Sequence, residues 1–179
     1  MEKTLHHAVE ATPDSMTNGQ MPSSLAQLLL DRCHTSFDRP AIMDALAGET
    51  LDWGQVLQQS LRVAERIESA GLRPGDRVLH IGPHTAAWPI VDFACLLSGV
   101  VHVALHAEES QSEQNRHLQL FQPCGLIFSG GISHRSVSQN GLPLLEVQAD
   151  WRANHAACGT VYSNIAERVR KCDPDGPAT

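Results

Sequence analysis

The sequence predicts an α/β chain: a three-layer arrangement of a mostly parallel sheet flanked by helices, with a short β-hairpin near its start. Three observations predict it. Apolar runs of strand length lie at residues 77–81, 100–105, 126–128 and 142–147. Between them fall segments whose apolar residues recur at helical spacing, and glycine, proline and capping residues punctuate the joints. Strands and helices alternating at this pace imply parallel βαβ units with right-handed crossovers. The 179 residues, 42% of them hydrophobic, suffice for one domain that buries about 70% of the surface of its unfolded chain.

Residues 1–23 are polar, carry Pro13, Gly19 and Pro22, and show no hydrophobic period, so a mobile leader is expected there. Ser24 is placed to cap a first helix whose apolar face is Leu25, Leu28, Leu29, Leu30 and Cys33, ending near His34. Residues 41–43 and 50–51 flank a turn containing Gly48, as the strands of a hairpin do. Asp52 and Gln55 have capping-box spacing. Behind them Val56, Leu57, Leu61, Ala64, Ile67 and Ala70 form a helical stripe closed by Gly71. Arg73-Pro74-Gly75-Asp76 has proline and glycine at the central positions of a type II turn, which delivers the chain into the strand at 77–81.

Gly82 and Pro83 break that strand, Thr85 is expected to cap the next helix, and Pro89 falls in or just after its first turn. Trp88, Ile90, Val91, Phe93, Ala94, Leu96 and Leu97 are apolar nearly all round, which calls for a sandwiched helix. Gly99 ends it and a second central strand follows. Ser110 and Glu113 form another capping-box pair opening a helix to about Phe121, after which Pro123 resets the chain for the strand at 126–128. A loop at Ser129, Gly130 and Gly131, a strand at 142–147 and a last helix over 161–169 complete the reading.

Composition excludes several function classes. Lys and Arg number 13 against 20 Asp and Glu, a net charge of -7 that disfavours nucleic acid and anionic membranes as partners. The five cysteines are odd in number and scattered through ordinary α/β sequence, which argues against a disulfide framework and for a reducing, cytoplasmic setting. No apolar run has the length of a membrane span, and the first ten residues are charged where a signal peptide is apolar. The sequence has no Gly-x-Ser-x-Gly elbow, no Walker loop and no Gly-x-Gly-x-x-Gly after a strand. His155 and Cys158 have metal-ligand spacing without a second pair, so no metal site is expected. His80 and His102 lie inside strands and read as packed, hydrogen-bonded sheet residues; Trp53 and Trp88 read as packing anchors.

Four stretches taken together resemble one family, the amino-terminal part of adenylate-forming enzymes such as acyl-CoA synthetases, acyl-AMP ligases and peptide-synthetase adenylation domains. Asp38-Arg39-Pro40-Ala41-Ile42 with Thr50-Leu51-Asp52-Trp53 is similar to the family's opening. Gly71-Leu72-Arg73-Pro74-Gly75-Asp76-Arg77-Val78 matches its G-(V/L)-x-P-G-D-R-V almost letter for letter. The segment from Pro83 through Trp88 to Gly99 and Val100 resembles its P-N-S-x-E-W … A-G-A, and Cys172-Asp173-Pro174-Asp175-Gly176-Pro177-Ala178-Thr179 resembles the lead-in to its phosphate loop. The chain departs from the pattern at His84-Thr85, where the family has Asn-Ser, and at Ala104-Leu105-His106-Ala107, where it has Pro-Leu-Asn-Pro. Both departures fall at carboxyl ends of strands, where open α/β sheets place ligands. His84, Thr85 and His106 are therefore the candidate ligand-binding residues. For the first two the simpler reading is a Thr85 helix cap and a solvent-facing His84.

The resemblance implies that residues 24–179 are the amino-terminal subdomain of an acyl-CoA-synthetase-like ligase, interrupted at Thr179 just before the phosphate loop. It implies ATP, Mg²⁺ and CoA for the complete enzyme and none of them for this stretch alone, with the remainder of the enzyme as its partner. The only lysines are Lys3 and Lys171, so no catalytic residue is expected here. Apolar surface that would meet a second subdomain is expected to favour self-association. The alternative is a stand-alone, non-catalytic α/β interaction or ligand-binding module.

Overall fold

The computed structural model describes residues 24–45, 47–130, 141–147 and 167. The expected leader lies outside the described residues, as does the last helix apart from Glu167, which is helical. Helix α1 (Leu25–Thr35) opens the fold; the Ser24 hydroxyl accepts from the Gln27 N–H, as the cap chemistry requires. Strands β1 (Pro40–Asp44) and β2 (Glu49–Asp52) pair antiparallel as the hairpin, with a register shift between Pro40 and Ile42. In α2 (Trp53–Ser69) the capping box is complete: Asp52 accepts from the Gln55 N–H at 2.7 Å and the Gln55 side chain accepts from the Asp52 N–H at 3.0 Å.

Next come β3 (Arg77–Gly82), α3 (Ala87–Ser98), β4 (Val101–His106), α4 (Gln111–Phe121), β5 (Gly125–Ser129) and β6 (Leu144–Val147). The four strands β3 to β6 form one parallel sheet in the order β4-β3-β5-β6. The larger core joins α1, α2 and α3 through Leu29, Leu30, Val56, Ile67, Ile90, Val91 and Ala94 to Val78, Ile127, Leu145 and Val147 of the sheet. Leu79, Ile81, Leu105, Leu126 and Phe128 form a second, smaller core, against which Leu118 of α4 packs. Alternating residues of β3 and β5 thus feed opposite faces, giving the three layers.

The amino-terminal end of β3 follows the turn chemistry closely. Gly75 takes φ +88, the Asp76 N–H closes the turn on the Arg73 carbonyl at 2.9 Å, and the Asp76 carboxylate accepts from the Arg73 N–H at 2.7 Å. The Gly75 N–H reaches across to the Gly99 carbonyl at 2.8 Å, tying this turn to the end of α3. Leu25, Leu28, Phe37, Met43 and Leu120 are large apolar side chains left exposed. Among the described residues no helix is long and apolar enough to cross a membrane.

Two capping expectations need correction. Thr85 does not cap α3: the helix begins after Ala86 with no side-chain cap, and the Ala86 N–H is instead met at 2.9 Å by the carboxylate of Asp44, from the distant end of β1. A tertiary partner has displaced the local one because the hairpin brings a buried carboxylate to a helix start, where the N–H groups and the dipole favour an anion. In α4 the Ser110 hydroxyl does accept from the Glu113 N–H at 3.3 Å, whereas the Glu113 carboxylate turns to Arg116 at 3.1 Å rather than back to the cap.

Candidate functional site at the carboxyl edge of the sheet

From β3 the chain passes to α3 and to β4 on one side of it; β5 lies on the other side of β3 and is reached from β4 through α4. The carboxyl ends of β3 and β5 therefore flank the point where the sheet's connections diverge, the usual place for a ligand in an open α/β sheet. The two ends meet closely. A Cβ on Gly82 would collide with the Ser129 hydroxyl, and a Cβ on Gly130, at φ +71, would lie 2.5 Å from Pro83. Glycine is required at both positions for this approach.

Histidines and one indole organise the neighbourhood. His80, on the same face of β3 as Val78, is fully buried, and His102 and His106 lie two and four residues apart on one face of β4 from Ala104 and each other. Trp88 of α3 sits among them, its ring centroid 5.5 Å from that of His80, 4.4 Å from His84 and 6.4 Å from His102. The Trp88 indole N–H donates to the Gly82 carbonyl at 3.1 Å, and the Ala107 N–H donates to the same oxygen at 3.2 Å. Both bonds fasten the end of β3.

A chain of four side chains runs through this group. Ser129 Oγ lies 2.9 Å from His80 Nε2, His80 Nδ1 lies 3.1 Å from His102 Nε2, and His102 Nδ1 lies 2.7 Å from Asp92 Oδ1. Desolvation pushes the His80 pKa down to about 3, with the neighbouring His102 adding to the effect, so His80 is neutral near pH 7. The hydrogen bond from His102 holds the Asp92 carboxyl below its usual range. An ionised Asp92 accepts only, so His102 Nδ1 carries the proton it donates.

The candidate ligand-binding residues surround this chain without belonging to it. His84 is exposed and packs edge-on against both Trp88 and His106, the latter at a centroid distance of 4.7 Å. His106 Nδ1 accepts from the Glu108 N–H at 3.2 Å. Thr85 donates its N–H to the Pro83 carbonyl at 2.8 Å, while its hydroxyl oxygen is buried without a hydrogen-bond partner. Sequence reasoning placed His80 and His102 in the sheet as hydrogen-bonded residues but missed Ser129 and Asp92. The available signal was polar histidine on the alternate positions of two otherwise apolar strands, which demands partners nearby.

Among the described residues Cys33, Cys95 and Cys124 are free thiols, and burial pushes Cys33 up to about 11 and Cys95 up to about 12, which leaves both protonated and unreactive. Among the described residues no group of three His, Cys, Asp or Glu is placed to hold a metal ion.

Residues 29–175 match the family described as AMP-binding enzyme. The chain belongs to the AMP-binding enzyme family. Among curated relatives, it is 24% identical over 138 residues to 4-coumarate–CoA ligase-like 9 of Oryza sativa subsp. japonica, covering 76% of this chain and 23% of that protein. It is 34% identical over 80 residues to the fatty acid–[acyl-carrier-protein] ligase ScoC of Streptomyces coeruleorubidus, covering 45% of this chain and 15% of that one. The fold is similar to that of o-succinylbenzoate CoA synthetase from Bacillus subtilis, solved with ATP and magnesium, with a TM-score of 0.61 at 20% identity over 72% of this chain and 34% of that one. It is also similar to ATP-bound MatB from Rhodopseudomonas palustris, with a TM-score of 0.62 at 19% identity over 82% of this chain and 28% of that one. The chain thus spans about a quarter or less of the curated relatives named here.

ATP and Mg²⁺, which the family implies, do not fit the described residues. Phosphate binding calls for a lysine or a backbone cradle and a metal for clustered oxygen ligands. The described residues contain no lysine and no such cluster. Among the described residues, the carboxylate that meets the start of α3, Asp44, already holds the Ala86 and Ala47 N–H groups.

Proposed function

We propose that residues 24–179 form the amino-terminal subdomain of an ATP-dependent acid–thiol ligase, whose complete form joins a carboxylic acid to AMP and passes the acyl group to CoA. The observation that carries this reading is the family match over residues 29–175, with the turn at Gly71 to Val78 built as the motif requires. The fatty acid–[acyl-carrier-protein] ligase and the 4-coumarate–CoA ligase-like protein among the similar proteins support an acid substrate activated as an adenylate, and the solved relatives with bound ATP support ATP and Mg²⁺ as cosubstrates of the whole enzyme. The rest of the ligase is then this subdomain's partner, and the exposed Leu25, Leu28 and Phe37 belong to surface that would favour self-association when the subdomain stands alone. A cytoplasmic setting fits the free thiols.

In this reading His84, Thr85 and His106 line the edge of the sheet that faces ligand, and the phosphate-binding residues come from elsewhere in the enzyme. The chain on its own carries out no adenylation. Pyrophosphate exchange into ATP, driven by a panel of aliphatic and aromatic carboxylic acids with Mg²⁺, tests this. The protein encoded by the complete gene is expected to exchange with at least one acid, and the 179-residue chain with none. Exchange by the 179-residue chain alone would overturn the argument from missing phosphate ligands. A complete gene that encodes nothing after Thr179 would leave the non-catalytic module as the reading.

A further inference from the structure

Helix α3 starts without a cap of its own. Ala86, at its amino-terminal boundary, has no side chain able to accept a hydrogen bond, and the Thr85 hydroxyl does not serve. Ala86 and Ala87 are 3% and 0% exposed, so the Ala86 N–H cannot turn to water instead. Its acceptor is Oδ2 of Asp44, 42 residues earlier, at 2.9 Å, and the other oxygen of the same carboxylate, Oδ1, accepts from the Ala47 N–H at 3.0 Å. Ala47 lies in the turn between β1 and β2, where Asp44 pairs with Glu49 across the hairpin. Asp44 is itself buried. One carboxylate therefore closes the hairpin turn with one oxygen and fixes the start of α3 with the other, a double task that suits a group with two acceptor oxygens at a helix start that favours an anion.

The fixed point lies beside the candidate ligand-binding residues. Ala86 directly follows His84 and Thr85. The Thr85 carbonyl accepts from the Trp88 N–H at 3.0 Å, the Trp88 ring lies 4.4 Å from that of His84, and the His84 ring meets that of His106 at 4.7 Å. The β3 side of this loop is held through the Gly82 carbonyl, which accepts from the Trp88 indole and the Ala107 N–H. Its α3 side is tied to the hairpin by Asp44.

We propose that Asp44 is a positioning residue for His84 and Thr85, so that the β1–β2 hairpin, which carries none of the candidate ligand-binding residues, sets the shape of the carboxyl edge. The inference rests on the reading of that edge as the one that faces ligand. Asp44 acts through the backbone, since its two oxygens are turned to N–H groups of the turn and of α3. Without the carboxylate a buried N–H is left unsatisfied, so the first turn of α3 must shift to find another partner and carry Thr85 and His84 with it. Asparagine keeps one oxygen at this place and puts an NH₂ where the second stood, so it holds one of the two N–H groups and not both.

The test compares Asp44→Ala, Asp44→Asn and Ser24→Ala, the last removing a cap from α1 instead, in the 179-residue chain. Two readouts are taken by NMR: hydrogen exchange of the Ala47 and Ala86 amides, and the ring-current shift that Trp88 imposes on the His84 ring protons. In Asp44→Ala both amides are expected to exchange about tenfold faster or more, and the His84 shift is expected to collapse toward that of a free histidine. Asp44→Asn, which carries the same comparison if the alanine variant does not fold, is expected to keep one amide protected, and the His84 shift to be native only where that amide is Ala86. Ser24→Ala is expected to leave the Ala86 amide and the His84 shift unchanged. In the protein encoded by the complete gene, Asp44→Asn is expected to raise KM for at least one substrate by about tenfold with a smaller change in kcat. A native His84 shift with an unprotected Ala86 amide, an Ala86 amide still protected in Asp44→Ala, or a His84 shift lost equally in Ser24→Ala would overturn the positioning role, as would unchanged KM values for every substrate. A complete protein that activates no acid would remove the ligase reading instead, and the His84 shift would still decide the role of Asp44.

Discussion

The two ends of the β3–β4 pair are held by different kinds of chemistry. At the amino-terminal end the ties that build the turn are short in sequence, Gly75 at positive φ and Asp76 closing on Arg73, and the finished turn is docked on more distant residues through the Gly75 N–H on the Gly99 carbonyl and the Arg77 guanidinium on the Phe121 carbonyl. At the carboxyl end they are long in sequence. Ser129 meets His80 across 49 residues, Asp44 reaches Ala86 across 42, and Gly82 and Gly130 are glycine because strands from different parts of the chain close on them. A turn made of local ties is rebuilt wherever its residues occur, whereas an edge made of distant ties exists only when the whole sheet is assembled. The resemblance stated for the sequence follows the same division: it is strongest at the amino-terminal turn, Gly71 to Val78, and departs at His84, Thr85 and His106 on the carboxyl edge.

The largest effect is expected from adding a methyl group where the strands close. Gly82→Ala places a Cβ against the Ser129 hydroxyl and 3.1 Å from His80 Nε2, so the serine must turn away and leave His80 Nε2 without its hydrogen-bond partner in the core. Overpacking and one lost buried hydrogen bond together cost about 2–4 kcal/mol, read from the urea midpoint at constant slope. A cost under about 1 kcal/mol would mean that the carboxyl edge is no more constrained than a local turn.

Next is the effect of pH. The folded-state pKa of His80 is depressed from 6.5 to about 3, so between those values the unfolded chain binds more protons and stability falls as pH falls. The contribution is complete above pH 6.5; at pH 4.5, two units below, the loss from this group is about 2.7 kcal/mol at most. Asp92, whose pKa is also lowered, contributes stability above its unfolded value and adds its loss only in the more acidic range below 3.8. Denaturation of the chain and of His80→Gln at pH 7 and pH 4.5 checks this: the difference between the two pH values is expected to shrink in the variant.

The smallest effect is at the other end. Asp76→Ala removes one exposed cap on the Arg73 N–H and is expected to cost about 1 kcal/mol, read from the urea midpoint at pH 7.

The same contrast explains what could be read from the sequence. The hairpin, the α2 capping box, the type II turn and the strands from β3 to β5 were all legible because each is specified by residues within a few positions of one another. The cap of α3 was misread because Thr85 has the right chemistry in the right place, and only the folded hairpin reveals that Asp44 takes the position. The hydrogen-bonded chain of Ser129, His80, His102 and Asp92 was half legible. His80 and His102 announced themselves as polar residues in apolar strands, but their partners Ser129 and Asp92 are fixed by strand order and helix placement, which no local pattern encodes.

A pair of double-mutant cycles tests the account most directly. His80→Ala combined with Ser129→Ala, two residues in direct contact in one network, is expected to show a coupling of about 0.5–3 kcal/mol. Ser24→Ala combined with Asp76→Ala, two local devices that share no hydrogen-bond partner, is expected to be additive within about 0.5 kcal/mol. Additivity in both cycles would contradict the claim that the carboxyl edge is a single coupled unit.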